Sequence, residues 1–373
     1  MPKILFIFGT RPEAIKLCPV VLCLRLRPDQ FDVKVCVTAQ HRAMLDQVLN
    51  VFDVRPEHDL DLMLPGQTLF QSTSRIIAAL GPVLATSRPD MVVVQGDTTT
   101  TFCGALAAFY SHIPVAHVEA GLRTGDMLQP FPEEMNRVLT APLAALHFAA
   151  TAGAAANLRR EGVDPASITV TGNTGIDAVL YVRDGLDQGR LQVQDWPELD
   201  ASRKLIVVTA HRRESFGEGF EHICRALVTL ANRPDVQIVY PVHPNPNVQD
   251  PVNRILAGHP NIRLIQPLDY VPFVSLMRRA YLLITDSGGI QEEGPSLGKP
   301  ILVLRKKTER PEAVAAGTVR LVGVDPVRIV AEAEKLLDNP DSYQAMTLVH
   351  NPYGDGRASA RISGAILSFF RDK

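Results

Sequence analysis

The sequence predicts an α/β protein built of two Rossmann-like, doubly wound domains that face a cleft, and three observations carry that expectation. Short apolar runs alternate with longer segments of helical period, as in a parallel sheet covered by helices on both faces. The alternation forms two series separated by a polar stretch over residues 184–203, which holds Gly185, Gly189 and Pro197 and reads as the connection. At 373 residues the chain exceeds what one core usually organises, so two domains of roughly 150 to 200 residues are expected.

In the first series the strand candidates are Ile4–Phe8, Val33–Val37, Met91–Val94, Val115–Val118, Leu146–Phe148 and Ile168–Thr171. The second offers Leu205–Val208, Gln237–Tyr240, Ile262–Ile265, Tyr281–Ile284, Ile301–Leu304 and Thr318–Val322. Doubly wound sheets bind ligands beyond the carboxyl ends of their strands, so informative residues should follow these runs. Arg11-Pro12-Glu13-Ala14 and Arg310-Pro311-Glu312-Ala313 each look like the start of a helix, with proline where a missing N–H costs nothing. Thr10 and Glu13 have the spacing of a capping box. Shared capping chemistry accounts for this echo; a sharper reading aims one arginine of each domain into the cleft.

Composition narrows the function classes. With 46% hydrophobic residues, 21% charged residues and a formal net charge of -2, the chain shows no bulk attraction for nucleic acid, so anionic ligands must meet local cations. Five scattered cysteines without a C-x-x-C pair suggest reduced thiols and a cytoplasmic setting. The apolar run Ile4–Phe8 is too short for a signal peptide or a membrane span, and no later run reaches membrane length.

The strand ends carry the chemistry. Gly9-Thr10-Arg11, with Lys16 beyond, places backbone donors and two cations near one helix N-terminus, an anion site or a simple cap. Asp97 follows the most apolar strand of the first half, where an acid is costly unless hydrogen-bonded or used; a plain N-cap is the alternative. Glu119 ends the next strand, and Glu133 and Glu134 open a helix, where acids ordinarily compensate the dipole. His211, Arg212 and Arg213 follow the first strand of the second half, and His243 follows its successor. Neither histidine has zinc spacing, and no G-x-G-x-x-G follows any strand, so neither metal nor nicotinamide is expected. Asp59-Leu60-Asp61 lacks a preceding apolar strand and reads as a solvated turn. The stretch Asp286 to Gly294 suits a nucleoside diphosphate: Ser287, Gly288 and Gly289 offer N–H groups to phosphate, while Glu293, one turn deeper, can accept two ribose hydroxyl protons. Glu292 is expected to be a surface acid.

The motifs GTRPEAIK, TAQHR, GDTTTT, HVEAGLRTGD, PEEMNR, TGNTGIDA, HRRESFG, PVHPNP, TDSGGIQEE and ERPEA occur together and in order across nearly the whole chain. In this the sequence resembles the non-hydrolysing UDP-N-acetylglucosamine 2-epimerases of bacteria. The resemblance implies the two-domain fold shared with GT-B glycosyltransferases, with residues 1–172 completed by a C-terminal segment 353–373, whose helix would span Ala358 to Phe370, and residues 173–352 forming the UDP-binding domain. It implies interconversion of UDP-GlcNAc and UDP-ManNAc without cofactor, by anti elimination of UDP to 2-acetamidoglucal and return of UDP to C1. By matching motif, Arg11, Lys16, His211, Ser287, Gly288, Gly289 and Arg310 would serve the diphosphate, Glu293 the ribose, and Phe273 would lie near the uracil. Asp97, Glu119 and Glu133 match the family's acid and base candidates, and His211 is also implicated in catalysis. Gln40, Glu134, Arg212 and His243 fall in motifs that bind a second UDP-GlcNAc as activator, and a homodimer is implied. Two positions depart from the family pattern: Gln95 stands where a histidine precedes Gly-Asp, and Gly66 occupies a loop position that is basic in some regulated members.

Other readings stay open at this level. A UDP-sugar glycosyltransferase of the same fold would need an acceptor and would retain the C2 configuration. A hydrolysing epimerase would release ManNAc and UDP, and a nucleotide-sugar sensor would bind without turnover.

Overall fold

The structure, a computed structural model, describes residues 1–39, 42–64, 66–193 and 199–371. Gln40 lies outside the described residues. The chain divides into two compact units, Met1–Ala178 with Gly354–Lys373, and Val179–Tyr353.

The first unit holds strands β1 (Lys3–Phe8), β2 (Asp32–Val37), β3 (His58–Asp59), β4 (Met91–Gln95), β5 (Val115–Val118), β6 (Leu146–Ala149) and β7 (Ile168–Val170). They alternate with helices α1 (Arg11–Arg25), α2 (Arg42–Val51), α3 (Leu69–Ser87), α4 (Thr99–Tyr110), α5 (Glu133–Thr140) and α6 (Ala152–Arg160), and α7 (Thr174–Asp187) leads out of the unit. The sheet order is β3-β2-β1-β4-β5-β6-β7. Every pairing is parallel. Ile4 through Phe8 and Met91 through Val94 are fully buried because helices cover both faces, which is why these strands read as unbroken apolar runs.

β3 has no apolar run and is legible only from its partner: Cys36 pairs with His58 and Val37 with Asp59. The expected solvated turn at Asp59 therefore begins as an edge strand, with the Asp59 carboxylate held by Arg42 Nη1 at 2.7 Å. The connection region also starts later than expected, since α7 runs through to Asp187 before it.

The second unit repeats the plan with β8 (Lys204–Thr209), β9 (Val236–Pro241), β10 (Ile262–Ile265), β11 (Leu282–Thr285), β12 (Ile301–Val303) and β13 (Val319–Leu321), in the order β10-β9-β8-β11-β12-β13. Its helices are α8 (Glu218–Ala231), α9 (Pro246–Leu256), α10 (Tyr270–Arg279), α11 (Gly288–Glu293), α12 (Pro311–Ala316), α13 (Pro326–Asp338) and α14 (Pro340–Thr347). The chain then returns to the first unit as α15 (Ala358–Arg371), which packs on α1. Asp177 caps α15, accepting the N–H groups of Ala358 at 3.2 Å and Ser359 at 2.8 Å, where a carboxylate meets the positive end of the helix.

Four of the five cysteines are buried and Cys23 is half-buried; burial pushes the Cys36, Cys103 and Cys224 thiols up to about 12. Among the described residues no helix is long and apolar enough to cross a membrane.

Candidate active site

Each sheet reverses its strand order once, between β1 and β4 in the first unit and between β8 and β11 in the second. Such a switch point sends consecutive loops apart and leaves a crevice at the strand ends. Gly9 to Arg11 and Asp97 follow β1 and β4, and His211 and Asp286 to Gly289 follow β8 and β11, at these two places.

In the first unit, β1, β4 and β5 are neighbours, so Thr10, Asp97 and Glu119 sit side by side although 109 positions separate the first from the last. Glu13 ties two of the loops together. Its Oε2 accepts the N–H groups of Gly9 at 3.0 Å and Thr10 at 2.8 Å and the Thr10 hydroxyl at 2.7 Å, while Oε1 accepts the Thr98 hydroxyl at 2.6 Å. Burial pushes the Glu13 carboxyl up, and these hydrogen bonds oppose the shift. The acid expected as half of a capping box forms that box with Thr10 and is also a strut between the β1 and β4 loops.

Glu119 adopts φ 62°, uncommon for a non-glycine residue and worth on the order of 1–3 kcal/mol of strain, with Gly121 at φ 87° completing the turn. This turn aims the Glu119 carboxylate at Lys16, whose Nζ lies 2.7 and 2.6 Å from its two oxygens, and at Gln95, whose Nε2 also donates to it. Lys16, expected at a diphosphate, is engaged by Glu119 here. Asp97 is gripped by Arg137, with Nε 2.9 Å and Nη2 2.6 Å from Oδ2. Burial pushes the Asp97 carboxyl up, Arg137 opposes, and the neighbouring Glu119 charge adds to the rise. Behind them His117 is buried, its Nε2 2.8 Å from the Gly96 carbonyl, and burial lowers it to about 4.

Glu133 is half-buried at the first position of α5 and lines an open pocket of roughly 480 Å³ with Thr10, Asp97, Thr98, Asn136 and Gly66. Its neighbour Glu134 is buried, bound to Arg137 Nη1 at 3.0 Å. Arg11, at the first turn of α1, is half-exposed.

In the second unit, Asp286 follows β11 fully buried and organises the crossing. Its Oδ2 accepts the N–H groups of His211 at 2.6 Å and Arg212 at 2.7 Å. His211 Nδ1 lies 3.3 Å from the other oxygen, and the ring stacks on His243, centroids 5.3 Å apart and planes within 14°. Burial lowers His211 below its ordinary value, Asp286 opposes, and His243 and Arg212 lower it further, a balance that favours the neutral imidazole.

Ser287 precedes α11 with its N–H on the Thr285 hydroxyl at 3.0 Å. A Cβ on Gly288 would lie 3.0 Å from Arg310 Cζ and 3.2 Å from its Nη2, so glycine is what lets the guanidinium lie on this helix start. A Cβ on Gly289 would meet little. Arg310 is oriented by Glu292 at 2.8 Å and Glu309 at 3.1 Å. Glu292, expected on the surface, is therefore 5% exposed and paired. The correction has a plain cause: α11 is less than two turns long, so periodicity cannot assign its faces, and the partner comes from a loop 18 positions away. Glu293 ends α11 and Phe273 lies on α10, both half-buried.

A profile of the UDP-N-acetylglucosamine 2-epimerase family matches residues 24–367. The UDP-N-acetylglucosamine 2-epimerase of Salmonella typhimurium is 58% identical over 372 residues, covering 98% of this chain and 99% of that protein. The Escherichia coli K12 protein of the same name is 58% identical over 369 residues, 98% of each chain. The crystal structure of UDP-GlcNAc 2-epimerase from Neisseria meningitidis bound to UDP-GlcNAc superposes with a TM-score of 0.90 at 47% identity, covering 98% of this chain and 100% of that one.

The chain belongs to the UDP-N-acetylglucosamine 2-epimerase family. It is an isomerase, and its two Rossmann-like domains are those of a GT-B-like epimerase. Among this epimerase's described residues no group of three or more His, Cys, Asp or Glu side chains is placed to hold a metal ion.

Three contacts of the epimerase's candidate residues have no counterpart in the sequence expectations. Asp286 was detectable by the rule that singled out Asp97, an acid set directly after a buried strand. Arg137 stands at i,i+3 from Glu134, a helical pairing distance, but its hold on Asp97 spans 40 positions. Gln95 gives no local signal of its contact with Glu119.

Proposed function

We propose that this epimerase interconverts UDP-GlcNAc and UDP-ManNAc at C2, without hydrolysis, through elimination and return of UDP. The supporting observation is the division of charge between the two switch points. One carries the carboxylates Asp97, raised by burial and sharing a pocket with Glu133, and Glu119, paired with Lys16; the other carries Arg310 against Gly288 at the start of α11, and His211, which burial lowers. The first set suits proton transfer at a sugar carbon, and the second suits a diphosphate.

In the forward direction a carboxylate of the first unit takes the C2 proton while the C1–O bond breaks, the electron pair leaving with UDP and the C1=C2 bond of 2-acetamidoglucal forming. A second acid then delivers a proton to the opposite face of C2 as a UDP oxygen re-forms the bond to C1. Charge developing on the departing diphosphate is met by Arg310, Arg11 and the α11 N–H groups, which cost no reorganisation at that moment. Desolvation raises the Asp97 carboxyl from its ordinary value, the direction that favours a role in proton transfer. Glu293 is assigned to the ribose and Phe273 to the uracil; Gln40, Arg212 and His243 are assigned to an activating UDP-GlcNAc, and the active species to a homodimer. The product would supply ManNAc units for cell-surface polysaccharide.

NMR of products formed from UDP-GlcNAc in deuterium oxide tests this reading. UDP-ManNAc should carry deuterium at C2, and recovered substrate should become labelled. Product without C2 deuterium, or free ManNAc with UDP in place of UDP-ManNAc, would overturn it.

A further inference from the structure

The surroundings of Glu134 are those of a strut. It is 1% exposed and both carboxylate oxygens are engaged: Oε1 accepts the N–H groups of Thr124 at 2.8 Å and Gly125 at 3.0 Å, and Oε2 accepts Arg137 Nη1 at 3.0 Å. Arg137, 7% exposed, turns the rest of its planar fork on Asp97. From the same helix, Asn136 Nδ2 donates to the Asp97 main-chain carbonyl at 2.8 Å. The first turn of α5 thus holds Asp97 by backbone and side chain together.

We infer that Glu134 is a positioning residue for the reaction: it anchors Arg137 to the Thr124–Gly125 backbone and so fixes the fork that aims the Asp97 carboxylate. The activator contact that the family resemblance implies for Glu134 is the rival. Reaching a ligand would pull the carboxylate from two buried N–H groups and a guanidinium, leaving all three without this acceptor. Staying put satisfies them and uses the rigid geometry for which arginine differs from lysine. The inference rests on the proposed role of Asp97 in proton transfer.

The charged groups facing Asp97 are Arg137 on α5, Glu119 beyond β5 and Lys16 on α1, with Glu133 at the start of α5 lining the same pocket. Glu134→Gln keeps shape and volume but removes the charge that shares Arg137, so Arg137 acts undivided on Asp97. The limb of the kcat pH profile that belongs to Asp97 should then move to lower pH, and kcat should fall on the order of ten- to a hundredfold, as for a misplaced reacting group. KM for UDP-GlcNAc and the Kd of UDP should change less than threefold. Arg137→Lys should reproduce the kcat loss.

A Glu134→Gln enzyme with unchanged saturating kcat and pH limb, but altered half-activation by UDP-GlcNAc, would overturn the inference in favour of the activator contact. Loss of thermal stability alone, with kcat and pH profile intact in the folded fraction, would overturn it too. If Glu134→Gln does not fold, Glu134→Asp is read instead: it keeps the charge on a shorter arm and should lower kcat without moving the limb. Asp97→Asn separates this inference from the reading beneath it. An active Asp97→Asn overturns both, whereas an inactive one beside a normal Glu134→Gln overturns only the positioning role.

Discussion

Replacing Arg310 with alanine should be felt twice, once without ligand and once with it. The guanidinium donates to Glu292 at 2.8 Å, in a pair whose side chains are only 14% and 6% exposed. A hydrogen bond to a charged group in such a setting contributes about 1.5–3 kcal/mol. The second pair, to Glu309 at 3.1 Å, has a partner 34% exposed, where solvent screening leaves about 1 kcal/mol at most. For a unit of this size each kcal/mol moves the melting temperature by roughly 2–4 °C, so the Glu292 bond alone predicts a fall of about 3–12 °C. With UDP, loss of a comparable charge-assisted bond to phosphate predicts a Kd raised roughly ten- to a hundredfold. Arg310→Lys should recover little of either effect, because an ammonium cannot hold Glu292 and a phosphate in one plane above Gly288. Scanning calorimetry and titration calorimetry read the two effects separately. A melting temperature within a degree of wild type together with UDP affinity within threefold would refute both the buried pair and the phosphate assignment.

Dialysis against EDTA, with no nicotinamide added, should leave full turnover; a requirement for either would contradict the motif reading. Gly121→Ala should destabilise the first unit by at least about 2 kcal/mol, since its Cβ would fall 2.3 Å from the Ala154 carbonyl oxygen at φ 87°, and urea titration with an unchanged midpoint would disprove this. Buried His117 sits at about 4 against an ordinary 6.5, so the unfolded chain takes up a proton across that window and the folded one does not. Stability from this group is intact above pH 6.5 and is lost as pH falls through about 4, by roughly 3 kcal/mol when complete. His117→Gln, which can still donate to the Gly96 carbonyl, should flatten the melting-temperature profile between those pH values; an unaltered slope would show that the acid sensitivity lies elsewhere.

The strands were legible because their cause is local. A strand buried on both faces must be apolar throughout, and β1, β4, β8 and β11 carry that demand in their own residues. The candidate residues were legible at the strand ends for a related reason: an acid or histidine directly after a buried run needs a partner or a purpose, as with Asp97, Glu119 and His211. β3 was missed because two residues at a sheet edge bear no pattern, and their pairing is imposed by β2. Glu292 was misread because a helix of six residues has no periodicity to show which face is buried. Only the folded chain could pair Lys16 with Glu119 across 103 positions, Arg137 with Asp97 across 40, and Asp286 with the backbone of His211 across 75. Such contacts depend on which strands become neighbours, and strand order is a property of the sheet that no single segment contains.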